Sequence, residues 1–182
     1  MPTAVEISET LEQLAEQTKA GCALSFERIV EQMKDRIFAY LVQLVGNMHD
    51  AEDLAQDTFI KAYKGIHTFD GRARFSTWLY TIAKNTAFTH LRKRRPHDSI
   101  EELSEILPAP ESGIDLDAQN SIWTLARKLK PNLFEVLWLF YADGFSMKEI
   151  ATITGTNSIT ARVNLHRARL ALRKKCKLYE NF

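Results

Sequence analysis

Between residues 72 and 95 the chain reads RARFSTWLYTIAKNTAFTHLRKRR. Rings at Phe75, Trp78, Tyr80 and Phe88 are interleaved with Arg72, Arg74, Lys84, Arg92, Lys93, Arg94 and Arg95, and no acid intervenes. A core helix needs the rings without the charges, and a solvated helix the reverse. The combination suits a surface that grips a phosphate backbone and stacks on unpaired bases. Asn85, with a donor and an acceptor on a short arm, is the candidate for reading a base edge. Phe75, Trp78, Leu79 and Ile82 recur at i, i+3, i+4 and i+7, the spacing of a buried stripe. Trp78 is therefore expected to pack inward, and at least one of Tyr80 and Phe88 with it.

A second tract, SMKEIATITGTNSITARVNLHRARLALRKK from residue 146, reads as helix, tight turn, helix. Ser146 and Glu149 form a capping box, and Gly155 sits in the turn. In a helix-turn-helix the second helix enters the major groove, its N-terminal half reaching base edges. Ala161, Leu165, Ala168 and Leu172 share an inward face, with Arg162, His166, Arg169 and Arg167 outside it. Arginine is the usual bidentate reader of guanine. The amides of Thr156, Asn157 and Ser158 open this helix and are candidates to hold a phosphate. Ile159, Val163 and Leu170 make a second apolar line, nearly opposite the first, that suits thymine methyls, another domain or an inhibitor protein.

The third tract is HDAEDLAQDTFIKAYKG from residue 49. Asp50, Glu52, Asp53, Gln56 and Asp57 crowd its first turns, where acids favour the helix dipole. Asp53, Gln56, Asp57 and Ile60 also share a face, which suits a basic protein partner.

The elements that must hold these residues are helical throughout, since strand alternation is absent. Periodicity predicts helices over 8–20 with Ser8 as N-cap, 24–45, 50–65, 74–94, 115–129, 132–142, 146–154 and 157–177. Leu24, Ile29, Met33, Ile37, Leu41 and Leu44 mark the buried stripe of the second. Gly46-Asn47, Asp70-Gly71, Pro96, Pro131 and Gly144 punctuate the chain. The net charge of +1 conceals segregation. Residues 1–60 carry 4 Lys/Arg against 11 Asp/Glu, 61–95 carry 9 against 1, 96–122 none against 7, and 123–182 carry 11 against 4. Two basic blocks separated by an acidic one imply two polyanion-binding modules. The fold expected is all-α: a first domain over 1–95, an acidic flexible linker over 96–114 rich in proline, and a helix-turn-helix domain over 115–182.

Several classes are set aside. No apolar run reaches membrane-spanning length, and the acidic, polar start is no signal peptide, so a cytoplasmic protein is expected. Cys22 and Cys176 are far apart and in no metal or redox pairing. His49, His67, His90, His97 and His166 show no metal-ligand spacing, and no phosphate-binding GxxxxGK[ST] occurs, so neither metal nor cofactor is expected. A nuclease lacks its carboxylate cluster. An ordinary helix-turn-helix repressor explains 115–182 but leaves the Asp50–Asp57 face and the aromatic-basic tract without purpose. A decoy that only titrates an inhibitor needs no basic surface of this kind.

DAEDLAQDTFIKAY, then FSTWLYTIAKNTAFTHLRKRR, an acidic linker and TARVNLHRAR together resemble a bacterial group IV sigma factor, the extracytoplasmic-function type. The resemblance covers roughly residues 20 to 178. It implies two helical domains that bind core RNA polymerase, recognise and open promoter DNA, and answer to an anti-sigma factor, with no catalysis of their own. By that resemblance, Asp50, Glu52, Asp53, Gln56 and Asp57 match the positions that dock on the clamp helices of the polymerase's largest subunit. Arg74, Phe75, Ser76, Thr77, Trp78, Tyr80, Lys84 and Asn85 match the segment that opens the minus-ten element and holds a flipped base. Arg92, Lys93, Arg94 and Arg95 would lie on nearby phosphates. Arg162, His166 and Arg167 match the readers of the minus-thirty-five element. The acidic linker matches the segment that threads the RNA exit path. Family members often carry valine, serine and arginine where this chain has Ala161, Val163 and Asn164, a departure that bears on the promoter it prefers.

Overall fold

The computed structural model of the chain describes residues 9–94 and 122–179. Within them the backbone is helical, with no strand among the described residues. None of these helices is long and apolar enough to cross a membrane. The N-terminal cluster holds α1 (Leu11–Lys19), α2 (Ala23–Val45), α3 (Met48–Gly65), a 3-10 turn (Ile66–Thr68) and α4 (Phe75–Arg94). The C-terminal cluster holds α5 (Ile122–Ala126), α6 (Pro131–Tyr141), α7 (Met147–Thr154) and α8 (Ser158–Tyr179).

Local chemistry sets most boundaries. Thr10 caps α1 through a capping box with Gln13, whereas the expected cap, Ser8, lies outside the described residues. Gly46 ends α2 at φ 72°, a left-handed turn that glycine enters without a Cβ clash. The Asn47 side chain accepts from the Asp50 amide at 3.0 Å and starts α3 two residues earlier than periodicity implied. Asp70 Oδ1 accepts the Arg72 amide at 3.0 Å, turning the chain into α4. Glu12 of α1 then accepts the Phe75 amide at 3.1 Å, an acid placed where the helix dipole favours one. Pro131 opens α6 at its first turn, where its missing N–H costs nothing, rather than merely ending the helix before it. Of the helix expected over 115–129, α5 and the turns after it are described, while residues 95–121, the acidic linker included, lie outside the described residues.

Along α2, Ile29, Met33, Ile37, Tyr40, Leu41 and Leu44 are buried, as the stripe required, but Leu24 at its start is exposed. Phe75, Leu79, Ala83 and Ala87 of α4 pack onto this core. The rings of Phe69, Phe75 and Trp78 form one group with centroids 5.3 to 5.7 Å apart. In the other cluster Phe134, Leu137, Leu139, Ile150, Ile153, Ala161, Leu165 and Ala168 make the core.

Candidate nucleic-acid interface

The two clusters meet where α4 packs on α7 and α2 touches α6. The contact is polar and partly sealed. Glu135 of α6 is buried and accepts from the Tyr40 hydroxyl at 2.8 Å on one side and from the Lys84 ammonium at 3.0 Å on the other. Lys84 is itself nearly buried, and it lies 5.1 Å from the centre of the Phe88 ring. Asp143, after α6, accepts from the Tyr80 hydroxyl at 2.8 Å and lies 3.6 Å from the Arg36 guanidinium, which also donates to the Asp143 carbonyl at 2.9 Å. Glu149 of α7 accepts from the Thr77 hydroxyl at 3.3 Å and pairs with Arg74 at 3.5 Å. Tyr80 is closed off by Tyr40 at 4.9 Å and Phe145 at 4.8 Å between ring centroids.

Burial shapes the titration of these groups. Desolvation pushes the Asp143 carboxyl up, although the Tyr80 hydroxyl and the Arg36 charge oppose it. Burial and the adjacent Asp143 push the Tyr80 phenol far up, and burial with Glu135 does the same for Tyr40, so both hydroxyls stay protonated and act as donors. Glu149 is desolvated too, but the Ser146 hydroxyl and amide and the Arg74 charge hold it below its ordinary value.

The expected opening segment therefore divides. Phe75 and Thr77 are fully buried, Phe75 in the N-terminal core and Thr77 under Glu149. Phe75 reaches no DNA base without unfolding α4, which departs from the role the resemblance suggested. Tyr80 and Lys84 are covered by the C-terminal cluster, and Ser76 is half-buried. Arg74, Asn85 and Arg92 are exposed. Arg95 and the side chain of Arg94 lie outside the described residues.

On α3, Glu52, Asp53, Gln56 and Asp57 all point outward and continue into Ile60, half of which is exposed. Asp50 instead turns toward α4, 3.6 Å from His90. Leu54, Thr58 and Ala62 fix this orientation by packing inward.

The helix-turn-helix forms where its local signals place it. Ser146 and Glu149 close a reciprocal capping box on α7, and Gly155 leaves the helix at φ 68°. Three residues later α8 begins, the connection length of a helix-turn-helix. Asn157 caps α8 by accepting the Thr160 amide at 2.7 Å. The Thr156 amide donates to the Ala151 carbonyl at 2.9 Å, so it is spent in the turn and does not offer the phosphate contact foreseen for it. Ser158 is half-buried, and Arg162, His166 and Arg167 are exposed on α8.

Sequence reasoning missed Arg36, Tyr40, Glu135, Asp143 and Glu149. One signal was available. Between residues 123 and 179, a strongly basic stretch, these three carboxylates are the only acids. All three face the N-terminal cluster.

The architecture defines a two-part helical DNA-binding protein: one cluster with an outward acidic face and an aromatic-basic helix, the other a helix-turn-helix. Family models for Sigma-70 region 2 and Sigma-70, region 4 match residues 29–97 and 119–172. The ECF RNA polymerase sigma factor SigW of Bacillus subtilis is 35% identical over 173 residues, 87% of this chain and 92% of that one. The RNA polymerase sigma-H factor of Pseudomonas aeruginosa is 32% identical over 90% of this chain and 92% of its own length. Among solved structures, the sigma factor RpoE of Bartonella quintana, in complex with the anti-sigma factor NepR, superposes with a TM-score of 0.64 at 27% identity over 84% of this chain and 96% of that one. CnrH, in complex with the cytosolic domain of CnrY, shares the fold with a TM-score of 0.66 over 91% of this chain and 96% of its own. The chain belongs to the extracytoplasmic-function sigma factors of the sigma-70 family.

Proposed function

We propose that this sigma factor docks on core RNA polymerase through Glu52, Asp53, Gln56 and Asp57, opens the minus-ten element along α4, and reads the minus-thirty-five element with Arg162, His166 and Arg167. The N-terminal domain, residues 1–95, carries the first two tasks and the C-terminal domain, 115–182, the third. The observation that carries this reading is charge segregation. The exposed face of α3 is acidic, as a basic clamp requires, while the exposed face of α8 is basic, as DNA requires.

The chain supplies binding and orientation, not catalysis. Unstacking a base costs a few kcal/mol, roughly. Each stack on an aromatic ring returns about 1–3 kcal/mol, and phosphate contacts add a salt-sensitive share. Asn85 and Arg92 are exposed and available at once, whereas exposed Arg74 must first leave Glu149. Tyr80 and Lys84 become available only when Asp143 and Glu135 leave them, so opening DNA requires the two domains to separate. Glu135, Asp143 and Glu149 occupy positions that phosphates would take, and the closed arrangement disfavours promoter opening by the chain alone. We assign control of this step to an anti-sigma factor in the cytoplasm, as the complexes of related chains suggest.

In-vitro transcription with core polymerase on a genomic promoter pool tests the reading. Discrete starts that vanish with Asp53→Arg support it, provided the variant keeps its helical signal. No start at any site would refute it.

A further inference from the structure

The outer face of the recognition helix carries an apolar strip inside a cationic frame. At about 100° per residue, Ile159, Val163, His166 and Leu170 fall within a band roughly 60° wide. Arg162, Arg169 and Arg173 flank one edge of it, Arg167 and Lys174 the other. All of these are exposed. Ile159 is 71% exposed, the highest value among the large apolar side chains of the described residues, and Val163 is 40% exposed. Neither belongs to the core, which α8 reaches through Ala161, Leu165, Ala168 and Leu172. An isolated exposed apolar residue needs no explanation, but two on successive turns of a recognition helix do.

The frame says what covers the strip. From residue 150 to 179 the chain has no acid at all. Arg169 is tied back to the Tyr141 hydroxyl at 3.0 Å, which leaves Arg162 and Arg167 bracketing Val163. An apolar centre with only cations around it matches a surface whose rim is anionic and whose floor presents methyl groups. Duplex DNA at a thymine-bearing step has that character: phosphates border the major groove, and the C5-methyl of thymine projects into it.

We infer that Ile159 and Val163 are specificity-determining residues of the upstream promoter element, each packing on the C5-methyl of a thymine in the major groove. The inference rests on the promoter-reading role assigned to α8 and adds bases that Arg162, His166 and Arg167 do not account for. One helical turn separates the two side chains, about 6 Å along the axis. At roughly 3.4 Å per base step, the two thymines lie one or two steps apart.

The test uses holoenzyme, the full chain with core polymerase, and promoter duplexes recovered by transcription from a genomic pool. Each thymine of the minus-thirty-five element is replaced in turn by uracil, which keeps every hydrogen-bonding group and lacks only the methyl. Burying one methyl is worth about fourfold in affinity. Wild-type holoenzyme should lose about fourfold at two thymines one or two steps apart and nothing elsewhere. Val163→Ala should bind the thymine duplex about fourfold or more weakly and become indifferent to uracil at one of those positions, Ile159→Ala at the other. Both side chains are exposed and alanine favours helix, so folding is preserved, as circular dichroism checks. Indifference of the wild type to uracil at every thymine overturns the inference even if transcription is normal, and would hand the strip to a protein partner. Equal sensitivity of both variants and wild type to uracil overturns it too. Absence of any start in the pool removes the promoter reading itself, and this inference with it.

Discussion

Replacing Glu135 by glutamine isolates what holds the two domains together. The glutamine oxygen can still accept the Tyr40 proton, so packing and one hydrogen bond survive. What disappears is the countercharge 3.0 Å from the Lys84 ammonium, whose side chain is only 13% exposed. Leaving a buried charge without its partner typically costs about 3–5 kcal/mol. Lys84 keeps weaker company, the Thr154 carbonyl at 3.4 Å and the Phe88 ring, so a lower value applies. We expect about 2–3 kcal/mol, a shift of roughly 30- to 150-fold toward the open state. The cost arises only when the domains are closed, because separation returns Lys84 to water. Single-molecule energy transfer between a dye on exposed Cys22 and one on a cysteine replacing exposed Lys148, in a Cys176→Ser background, reads the open fraction directly. Lys84→Met should open the chain comparably by orphaning Glu135. The double variant, which removes both charges, should be far more closed than the sum of the two predicts, with a coupling of about 1.5 kcal/mol or more. Strictly additive effects, or an unchanged open fraction in Glu135→Gln, would show that this ion pair does not hold the domains.

Asn85 is exposed on α4, so Asn85→Ala should weaken open-complex formation on the best promoter by about tenfold while polymerase binding is unchanged; permanganate reactivity of the opened strand measures the first and co-elution with core the second. Asp143 gives a pH dependence. Its carboxyl is raised by burial from an ordinary 3.8, so it favours closure fully below that value and ever less as pH rises through the raised one. The closed fraction should climb as pH falls toward that raised value, and the climb should be lost in Asp143→Asn. Further acidification should reverse it, because Glu149 is held low and its contribution disappears as pH falls through its own folded value. Salt separates the two uses of the same cations: raising it from 0.05 to 0.2 M, roughly a fourfold step, should cut promoter binding steeply and barely move the closed fraction, since the Lys84–Glu135 pair is screened little.

Short-range information in the chain placed the helices well. The Ser146 capping box, Gly155 and the 3.6-residue stripe of α8 are local, and each appears where its residues dictate. Thr10 with Gln13 is an equally local signal, the spacing of a capping box, and it sets the first helix start. Pro131 illustrates the ambiguity of a single residue, since a proline ends one helix and opens the next with the same missing N–H. The Thr156 amide shows a finer limit: an N-terminal amide is a phosphate candidate only if the preceding turn has not already claimed it, and here Ala151 has. What periodicity does not carry is any relation between distant faces. Periodicity alone places Tyr80 and Lys84 off the buried stripe of α4, and the burial expected for at least one of Tyr80 and Phe88 carries no partner with it. The partners of Tyr80 and Lys84 lie between 51 and 63 residues further along the chain.

The three acids of the C-terminal block resolve a tension that charge counting raises but does not settle. A helix-turn-helix with a basic outer face gains nothing toward DNA from Glu135, Asp143 or Glu149, and three carboxylates on that face would repel phosphate. Placed against the N-terminal cluster, beside Lys84 of α4, Arg36 of α2 and Arg74 just before α4, they leave the recognition helix undiluted and neutralise those three cations whenever the domains are closed. On the function proposed above, Lys84 and Arg74 then serve two anionic partners in turn. The carboxylates are tethered and always present, so they have the advantage while the chain is alone. Phosphates bring many contacts at once, and stacking on a ring that separation of the domains uncovers adds to them, so on this proposal they prevail when polymerase presents the strand at high local concentration. A closed contact much stronger than that of one buried ion pair and a few hydroxyl donors would defeat the second state, and one without any buried charge would not discriminate between them.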